Sequence, residues 1–269
     1  MQFSIITPSF RSAEWLKLCI ASVADQGVEV EHIVQDSCSD DGTQDWLPRD
    51  PRVKAFIEKD AGMYDAVNRG LRRATGEILA YLNADEQYLP GVLAAVWRCF
   101  QEHPEAEVVF GDVVVVNKDG GYLRSRQASV PHRYHTWVSD NLSVNSCGTF
   151  FRRSLIEKRR LFFDERYKDL GDVVWMLKLI EQRVPMVLLG AFTSVFTETG
   201  RNMGLGENVR RERAELAAAA PAWARAARPL IVLHYRLRRL LAGHYSQKPP
   251  RYALYTLASP TARVTMSAA

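Results

Sequence analysis

Short apolar runs alternate with amphipathic stretches over the first hundred residues of this 269-residue chain. The runs FSIIT, EHIVQ, VKAFI and ILAYL have the length and the β-branched or aromatic content of buried strands. Amphipathic segments, SAEWLKLCIASVADQ and AGMYDAVNRGLRRATG, stand between them. Strands that alternate with helices are typical of a parallel sheet covered by helices. The pattern therefore predicts an α/β fold.

Carboxylates follow these runs, one strand after another. Asp36 comes directly after EHIVQ, Asp60 lies shortly beyond VKAFI, and Asp85 and Glu86 follow ILAYL. Asp also caps helices and fills turns, so each cluster alone has a structural explanation. Carboxylates are nevertheless costly to bury without a counter-charge, and open α/β sheets bind ligands outside the carboxyl ends of their strands. The repetition favours a ligand or metal site at this edge.

Beyond residue 100 the pattern changes. Asp119-Gly120 lies between β-branched runs in EVVFGDVVVVNKDGGYLR, which predicts a hairpin and a mixed sheet. GDVVWMLKLIEQR predicts a helix, PMVLLG a strand, and the Ala-rich and Arg-rich end predicts further helices. We therefore divide the chain into residues 1–115, residues 116–200, and a flexible loop with a basic amphipathic helical tail at 201–269.

Composition and cysteine spacing argue against several classes of protein. The chain is 47% hydrophobic and 25% charged, which is ordinary for a globular protein. The four cysteines form no CxxC pair, so neither a zinc knuckle nor a disulfide framework is indicated. No stretch approaches the roughly 20 apolar residues that span a bilayer, and no signal-peptide pattern opens the chain. We expect a cytoplasmic protein.

Four motifs in order carry a resemblance to a known family. They are TPSF at 7–10, DSCSDDGT at 36–43, KDAGMYDAVNRG at 59–70 and LNADE at 82–86. Together they resemble the nucleotide-sugar domain of family 2 glycosyltransferases, most of all the bacterial exopolysaccharide and colanic-acid-type branch. The resemblance is clear over residues 1–95 and looser to about residue 200. It implies a GT-A, Rossmann-like fold with a mixed, mainly parallel sheet flanked by helices and a C-terminal helical extension.

The resemblance implies a donor site and a metal site at the strand ends. Residues 1–115 would bind a nucleoside diphosphate sugar, most commonly a UDP-sugar, and a Mg²⁺ or Mn²⁺ ion would be held by Asp85 and Glu86. Glu86 stands where the family has a second Asp, so its direct part in metal binding stays open. The matching donor positions are Thr7, Pro8, Ser9, Asp36, Asp60, Tyr64, Asn68, Asn83, Ala84 and Arg201. Helix packing remains the alternative for Tyr64 and Asn68, and a solvated side chain for Arg201.

The resemblance also assigns a catalytic base to the acceptor-binding half, residues 116–200. Inverting transfer needs a group that takes the proton of the acceptor hydroxyl. Asp172, in GDVVWMLKLIEQR, matches the family's base, although Asp at the start of a helix is also a common cap. Val173-Val174 replaces the usual aromatic-acid pair, which predicts a more apolar acceptor pocket.

The segment ARAARPLIVLHYRLRRLLAGHYSQKPPRY combines a leucine stripe with several arginines. A helix of this kind predicts contact with an anionic membrane surface, which would place the enzyme peripherally at the inner membrane face. A polyprenyl-diphosphate-linked acceptor would be found there. Packing on the chain's own core or on a second subunit is the open alternative. The aliphatic stripe argues against nucleic acid.

These observations predict a metal-dependent, inverting glycosyltransferase that acts on a saccharide or lipid-linked acceptor in bacterial surface polysaccharide synthesis. Two alternatives remain. A nucleotidyltransferase would normally open with a Gly-rich basic loop, which TPSFRSAEW lacks. An inactive nucleotide-sugar-binding partner protein would keep the donor site without turnover.

Overall fold

The computed structural model describes residues 2–138, 142–200, 207–246 and 250–267. Its strands are β1 (Phe3–Ser9), β2 (Val30–Asp36), β3 (Lys54–Ile57), β4 (Ile78–Tyr81), β5 (Glu86–Tyr88), β6 (Val108–Asn117), β7 (Tyr122–Arg126), β8 (Thr149–Arg152), β9 (Met186–Glu198), β10 (Tyr252–Thr256) and β11 (Ser259–Met266). Its helices are α1 (Ala13–Ala24), α2 (Thr43–Trp46), α3 (Met63–Arg73), α4 (Val92–Glu102), α5 (Arg133–Val138), α6 (Ser154–Glu157), α7 (Gly171–Glu181), α8 (Glu207–Ala219), α9 (Ala222–Ala226) and α10 (Arg228–Leu241). Two 3-10 turns lie at Leu47–Arg49 and Ser146–Gly148.

One mixed sheet runs through the molecule in the order β3-β2-β1-β4-β8-β6-β9-β5, with β7 paired to β6. The four strands β1 to β4 are parallel, as the strand and helix alternation predicts. The sheet becomes mixed at β8, which is antiparallel to both β4 and β6. Because β1 to β4 run the same way, the acidic segments that follow them meet at one edge.

The buried side chains form a core on both faces of this sheet. Phe3 and Ile5 belong to the cluster that contains buried residues of α1 and α4, whereas Ile6 belongs to the cluster that contains those of α3 and α7. This is the alternation that a strand covered on both faces requires. The predicted hairpin is also confirmed, since β6 and β7 pair antiparallel around Gly120, whose φ is 86°.

The C-terminal extension has the predicted helices α8 to α10 and then a hairpin, β10–β11, that the sequence pattern does not predict. The hairpin returns to the N-terminal half of the chain. The Gln87 side-chain amide donates to the Tyr255 carbonyl and accepts from the Tyr255 N–H, both at 2.9 Å. Arg263 forms two hydrogen bonds to Asp25 at the end of α1, at 2.6 and 2.7 Å. The predicted loop at 201–206 lies outside the described residues.

Helix α10 turns its leucine stripe away from the rest of the chain. The five leucines 230, 233, 237, 240 and 241 are 47% to 87% exposed, whereas Tyr235 on the opposite face is buried. Within the described ranges, the stripe therefore does not pack on the chain's own core. None of the helices described is long and apolar enough to cross a bilayer.

Candidate active site

A cavity of about 670 Å³ opens at the carboxyl edge of the parallel strands. Its walls include the end of β1 and the residues after it, the first turn of α3, the turn after β4 and the start of α7. The predicted site residues that line it are Pro8, Ser9, Asp60, Tyr64, Asn83, Ala84, Asp85 and Asp172. The structure thus brings both the proposed donor side and the proposed base to one cavity.

A tight turn presents Asp85 to this cavity. The Asn83 N–H donates to Glu86 Oε2 at 2.8 Å, and the Glu86 N–H donates back to the Asn83 carbonyl at 3.0 Å. Asp85 lies between these two anchored residues and lines the cavity, as does Asn83. Asn83 Oδ1 is buried and has no hydrogen-bond partner within the described chain. The turn therefore offers two oxygen-bearing side chains to a ligand.

The structure corrects the prediction for Glu86. Its side chain is 1% exposed and does not line the cavity, because Glu86 begins β5 and pairs with Phe196 of β9. Burial, together with the charge of Asp85, raises the pKa of Glu86 to about 8. The extra methylene that distinguishes Glu from Asp lets the carboxyl reach back to Asn83 and close the turn. Glu86 closes the turn that presents Asp85 and does not face the cavity.

The oxygen donors around Asp85 suit a hard divalent cation. Mg²⁺ and Mn²⁺ prefer carboxylate and carbonyl oxygens, and Mg²⁺ commonly keeps one or two protein ligands beside phosphate and water oxygens. No group of three or more His, Cys, Asp or Glu able to hold a metal occurs in the described chain. Asp85 and Asn83 Oδ1 fit a cation that takes its remaining ligands from a bound diphosphate. Burial raises the pKa of Asp85 to about 6, so a neighbouring cation would favour its ionised form.

Two predicted donor residues lie behind the cavity wall. Thr7 Oγ1 is 2.9 Å from His32 Nε2 and its side chain is buried. Asp36 is fully buried, and its carboxylate accepts hydrogen bonds from the hydroxyls of Ser9 and Ser39 at 3.0 and 2.7 Å. These polar contacts hold both side chains within the sheet, so neither reaches the cavity. Asp36 holds Ser9, which does line the cavity.

Asn68 also has a structural role in place of the predicted contact. Its Nδ2 donates to the Phe163 carbonyl at 2.9 Å, and its Oδ1 accepts from the Phe163 N–H at 3.0 Å. Nδ2 also donates to Glu165 Oε1 at 2.8 Å. Asn68 does not line the cavity, so the structure favours the helix-packing alternative for it. Arg201 lies outside the described residues.

Several cavity residues were missed in the sequence. Lys59 and Phe10 line the wall, with Lys59 Nζ 4.9 Å from the centre of the Phe10 ring. Phe10 and Lys59 each adjoin predicted site residues in the motifs TPSF and KDAG, and this proximity in the sequence could have identified them. Ser146 and Phe196 come from the 3-10 turn before β8 and from β9. No local sequence pattern indicates that these distant segments reach the cavity.

Asp172 lies in the first turn of α7, held by Tyr64 of α3. The Asp172 N–H donates to the Tyr64 hydroxyl at 3.1 Å, and that hydroxyl lies 3.2 Å from the Asp169 carbonyl, to which it donates. Asp172 Oδ1 accepts from the Val173 N–H at 2.8 Å. Asp172 is only partly accessible, and this burial raises its pKa to about 6. A carboxylate with this pKa is mostly ionised at neutral pH and is a stronger base than an exposed Asp.

A glycine makes the close approach of α3 and α7 feasible. A Cβ added to Gly171 would lie 2.6 Å from Tyr64 Cε2, closer than carbon atoms pack. The Tyr64 ring in turn stacks on Phe163, with 5.5 Å between ring centres. Gly171 therefore sets the distance at which Tyr64 reaches the backbone of Asp172.

Glu212 of α8 holds the segment that precedes Asp172. Its carboxylate accepts three backbone hydrogen bonds, from the N–H groups of Lys168, Asp169 and Leu170, at 2.7, 3.1 and 2.8 Å. Glu212 is 1% exposed. The C-terminal extension thus contributes directly to the position of the proposed base.

A second cavity of about 420 Å³ meets the first at Asp172. Four residues line both cavities: Ser146, Asp169, Asp172 and Phe196. The second cavity has the predicted Val173 in its wall together with three arginines, Arg126, Arg213 and Arg239. The expectation of a more apolar pocket is therefore corrected, since side chains from distant elements bring positive charge to it.

Comparison with known proteins agrees with this geometry. Residues 4–160 match the model of the family described as glycosyl transferase family 2. The chain is 37% identical over 120 residues to a PGL/p-HBAD biosynthesis glycosyltransferase of Mycobacterium bovis, a match that covers 42% of this chain and 47% of the relative. It is 25% identical over 221 residues to the GalNAc(5)-diNAcBac-PP-undecaprenol beta-1,3-glucosyltransferase of Campylobacter jejuni, covering 78% of this chain and 70% of that protein. The chain thus spans about half the length of the first of these relatives.

The fold resembles that of solved structures. A crystal structure of S. aureus TarS 1-349 in complex with UDP-GlcNAc aligns with a TM-score of 0.62 at 18% identity, over 89% of this chain and 72% of that one. At this identity the likeness shows a shared fold, which confirms the expected GT-A architecture. The family model covers more than half of the 269 residues, and its match spans the parallel strands, the turn that carries Asp85 and the β6–β7 hairpin. The chain belongs to glycosyl transferase family 2.

Proposed function

We propose that this chain is a metal-dependent, inverting glycosyltransferase that moves a sugar from a nucleoside diphosphate sugar to a hydroxyl group of a saccharide or lipid-linked acceptor. The observation that carries the proposal is the position of Asp172 where two cavities meet. One cavity lies at the ligand-binding edge of the parallel strands, and the other opens on the far side of the same carboxylate. A group transfer between two substrates needs this arrangement.

The first cavity suits the donor. Lys59 and the first turn of α3 contribute positive charge to its wall, and helix N-termini favour phosphate groups. Asp85 and Asn83 would hold the divalent cation there; when bound, that cation neutralises charge on the leaving diphosphate. UDP is the nucleotide we propose, which agrees with the UDP-GlcNAc bound by the TarS protein of the same fold.

Asp172 would act as the general base. Its carboxylate takes the proton of the acceptor hydroxyl while that oxygen forms a bond to the anomeric carbon, and the bond between this carbon and the donor phosphate oxygen breaks with its electron pair leaving on the nucleoside diphosphate. Attack from the face opposite the leaving group inverts the anomeric centre. Tyr64 and Glu212 position this base through the backbone of residues 168–172.

The acceptor belongs, in this proposal, to bacterial surface polysaccharide or glycolipid synthesis. The names of two relatives support this class: one acts in PGL/p-HBAD biosynthesis and the other on an undecaprenyl-diphosphate-linked glycan.

Helix α10 would dock the enzyme on an anionic membrane surface. Its exposed leucines lie beside the exposed side chains of Arg228 and Arg236, the combination that binds headgroups and acyl chains together. Replacing Leu233 and Leu237 by Asp should abolish co-sedimentation with phosphatidylglycerol vesicles. Leu257→Asp, a change of an equally exposed leucine in the β10–β11 turn, is the matched control. Equal sedimentation of all variants would contradict membrane docking.

The test of the donor site is calorimetric titration of UDP and GDP, each with and without Mn²⁺. We expect metal-dependent binding of one nucleotide to the wild type and its loss in Asp85→Ala. Binding of neither nucleotide with metal present would overturn the proposal. Nucleotide binding without release of UDP from any UDP-sugar would instead favour the inactive-partner alternative.

A further inference from the structure

The second cavity carries three arginines from three separate elements. Arg126 ends β7, Arg213 lies in α8 and Arg239 lies in α10. None of the three forms an ion pair with a carboxylate anywhere in the described ranges. Arg126 donates to Asn145 Oδ1 at 3.4 Å, and Arg239 donates to the Tyr235 hydroxyl at 3.2 Å. Arg239 Nε is buried and has no hydrogen-bond partner there.

The carboxylates near this cavity form no ion pair with these arginines within the described ranges. Glu212 is occupied by three backbone N–H groups, and Glu198 forms its ion pair with Arg124, outside the cavity. Asp169 and Asp172 lie at the junction with the donor cavity. The cavity therefore has an excess of positive charge on the side away from the donor.

Arginine is suited to bind phosphate groups. Its planar guanidinium donates two parallel hydrogen bonds to phosphate oxygens, and such charge-assisted bonds are about twice as strong as neutral ones. The rest of the wall is mixed, with the rings of Trp137 and Phe196 beside polar side chains. A volume of about 420 Å³ accommodates a monosaccharide with a phosphate attached.

We propose that the acceptor substrate bears a phosphate group, held by Arg126, Arg213 and Arg239 while the acceptor hydroxyl faces Asp172. This inference rests on the proposed function, because it deepens the assignment of the second cavity to the acceptor. The phosphate has two sources that share this chemistry: a soluble sugar phosphate or a lipid-linked sugar diphosphate. Helix α10 presents Arg239 to the cavity and its leucines to the outside.

The first experiment measures binding to the full chain saturated with UDP and Mn²⁺, so that the donor cavity is already filled. Inorganic pyrophosphate and geranyl diphosphate are titrated into the wild type and into Arg126→Gln and Arg239→Gln. We expect the wild type to bind at least one probe and each variant to bind it about tenfold more weakly or worse. Preference for geranyl diphosphate would indicate the lipid-linked source, and equal binding the soluble one.

Arg124→Gln is the matched control, because Arg124 lies on the same strand as Arg126 but pairs with Glu198 outside the cavity. It should bind the probes like the wild type. UDP binding should be unchanged in all three variants, which shows that they fold. If UDP binds but neither probe does, the phosphate-bearing acceptor is refuted while the donor site stands. If UDP itself does not bind, the proposed function fails first.

The second experiment compares turnover on one panel of sugars presented as alkyl glycosides, as sugar 1-phosphates and as farnesyl diphosphate conjugates. Transfer at least tenfold faster to one of the phosphorylated forms is expected, with the gain lost in Arg126→Gln. Neutral alkyl glycosides that serve equally well would overturn the inference.

Discussion

Replacing Glu212 by Gln tests whether the C-terminal extension positions the proposed base. Glu212 Oε1 accepts from the Lys168 N–H, and Oε2 accepts from those of Asp169 and Leu170. Gln has the same shape but one acceptor oxygen, and its NH₂ group would face a backbone donor. At least one of the three N–H groups would lose its partner, just before Asp172.

The expected size of the effect follows from these contacts. A hydrogen bond to a charged group contributes about 1.5 to 3 kcal/mol, so we expect the free energy of unfolding to fall by about 2 to 3 kcal/mol. For a chain of this size that corresponds to a Tm lower by roughly 4 to 12 °C. A base displaced by about 1 Å can cost about 100-fold in rate, so kcat should fall by about 10- to 100-fold. The affinity for UDP should not change, because Glu212 does not line the donor cavity.

The assay pairs thermal unfolding with steady-state release of UDP and with UDP calorimetry. Glu215→Gln is the matched control, since Glu215 lies on the same helix and is exposed, 4.0 Å from Arg211. It should leave Tm and kcat unchanged. Wild-type kcat in Glu212→Gln would refute the positioning argument, and a parallel loss of UDP affinity would indicate a general disruption of the fold.

Three further outcomes are expected. Because burial raises the pKa of Asp172 to about 6 and the base acts when ionised, kcat should rise with pH through about 6 and level off above it. The groups that face this carboxylate are Tyr64, Tyr81 and Glu212. If the residual activity of Asp172→Asn keeps the same decrease at acid pH, the assignment of the base is contradicted. Asp85→Asn should weaken Mn²⁺-dependent UDP binding at least tenfold by calorimetry, whereas wild-type binding would remove Asp85 from the metal site. Gly171→Ala should lower Tm and reduce kcat more than UDP affinity, because the added methyl group meets the Tyr64 ring at 2.6 Å; unchanged kinetics would show that Tyr64 does not position the base.

The sequence predicted which segments meet at the cavity but not which side chains line it. Alternation of strands and helices was enough to predict that the segments after β1 to β4 meet at one edge. Thr7 and Asp36 lie near the ends of β1 and β2, yet they lie behind the wall, because Thr7 contacts His32 and Asp36 holds Ser9 and Ser39. The local sequence pattern does not specify these contacts.

Contacts between distant segments account for what could not be predicted. Glu86 points inward because β5 pairs with β9, more than a hundred residues away along the chain. The three arginines of the second cavity come from β7, α8 and α10, and no local motif links them. The hairpin β10–β11 has short apolar runs that are weak signals by themselves, and it is stable where it packs on α1 and β5.

The return of the C-terminal hairpin to β5 also affects how the chain folds during synthesis. Gln87 and Tyr255 are 168 residues apart in the sequence. Ribosomes add roughly 5 to 20 residues per second, so Tyr255 is synthesised on the order of ten seconds or more after Gln87. During that interval the short strand β5 and one side of α1 lack the cover that the hairpin later supplies. The N-terminal half of the chain, although it is made first, therefore reaches its final packing only after β10 and β11 have emerged.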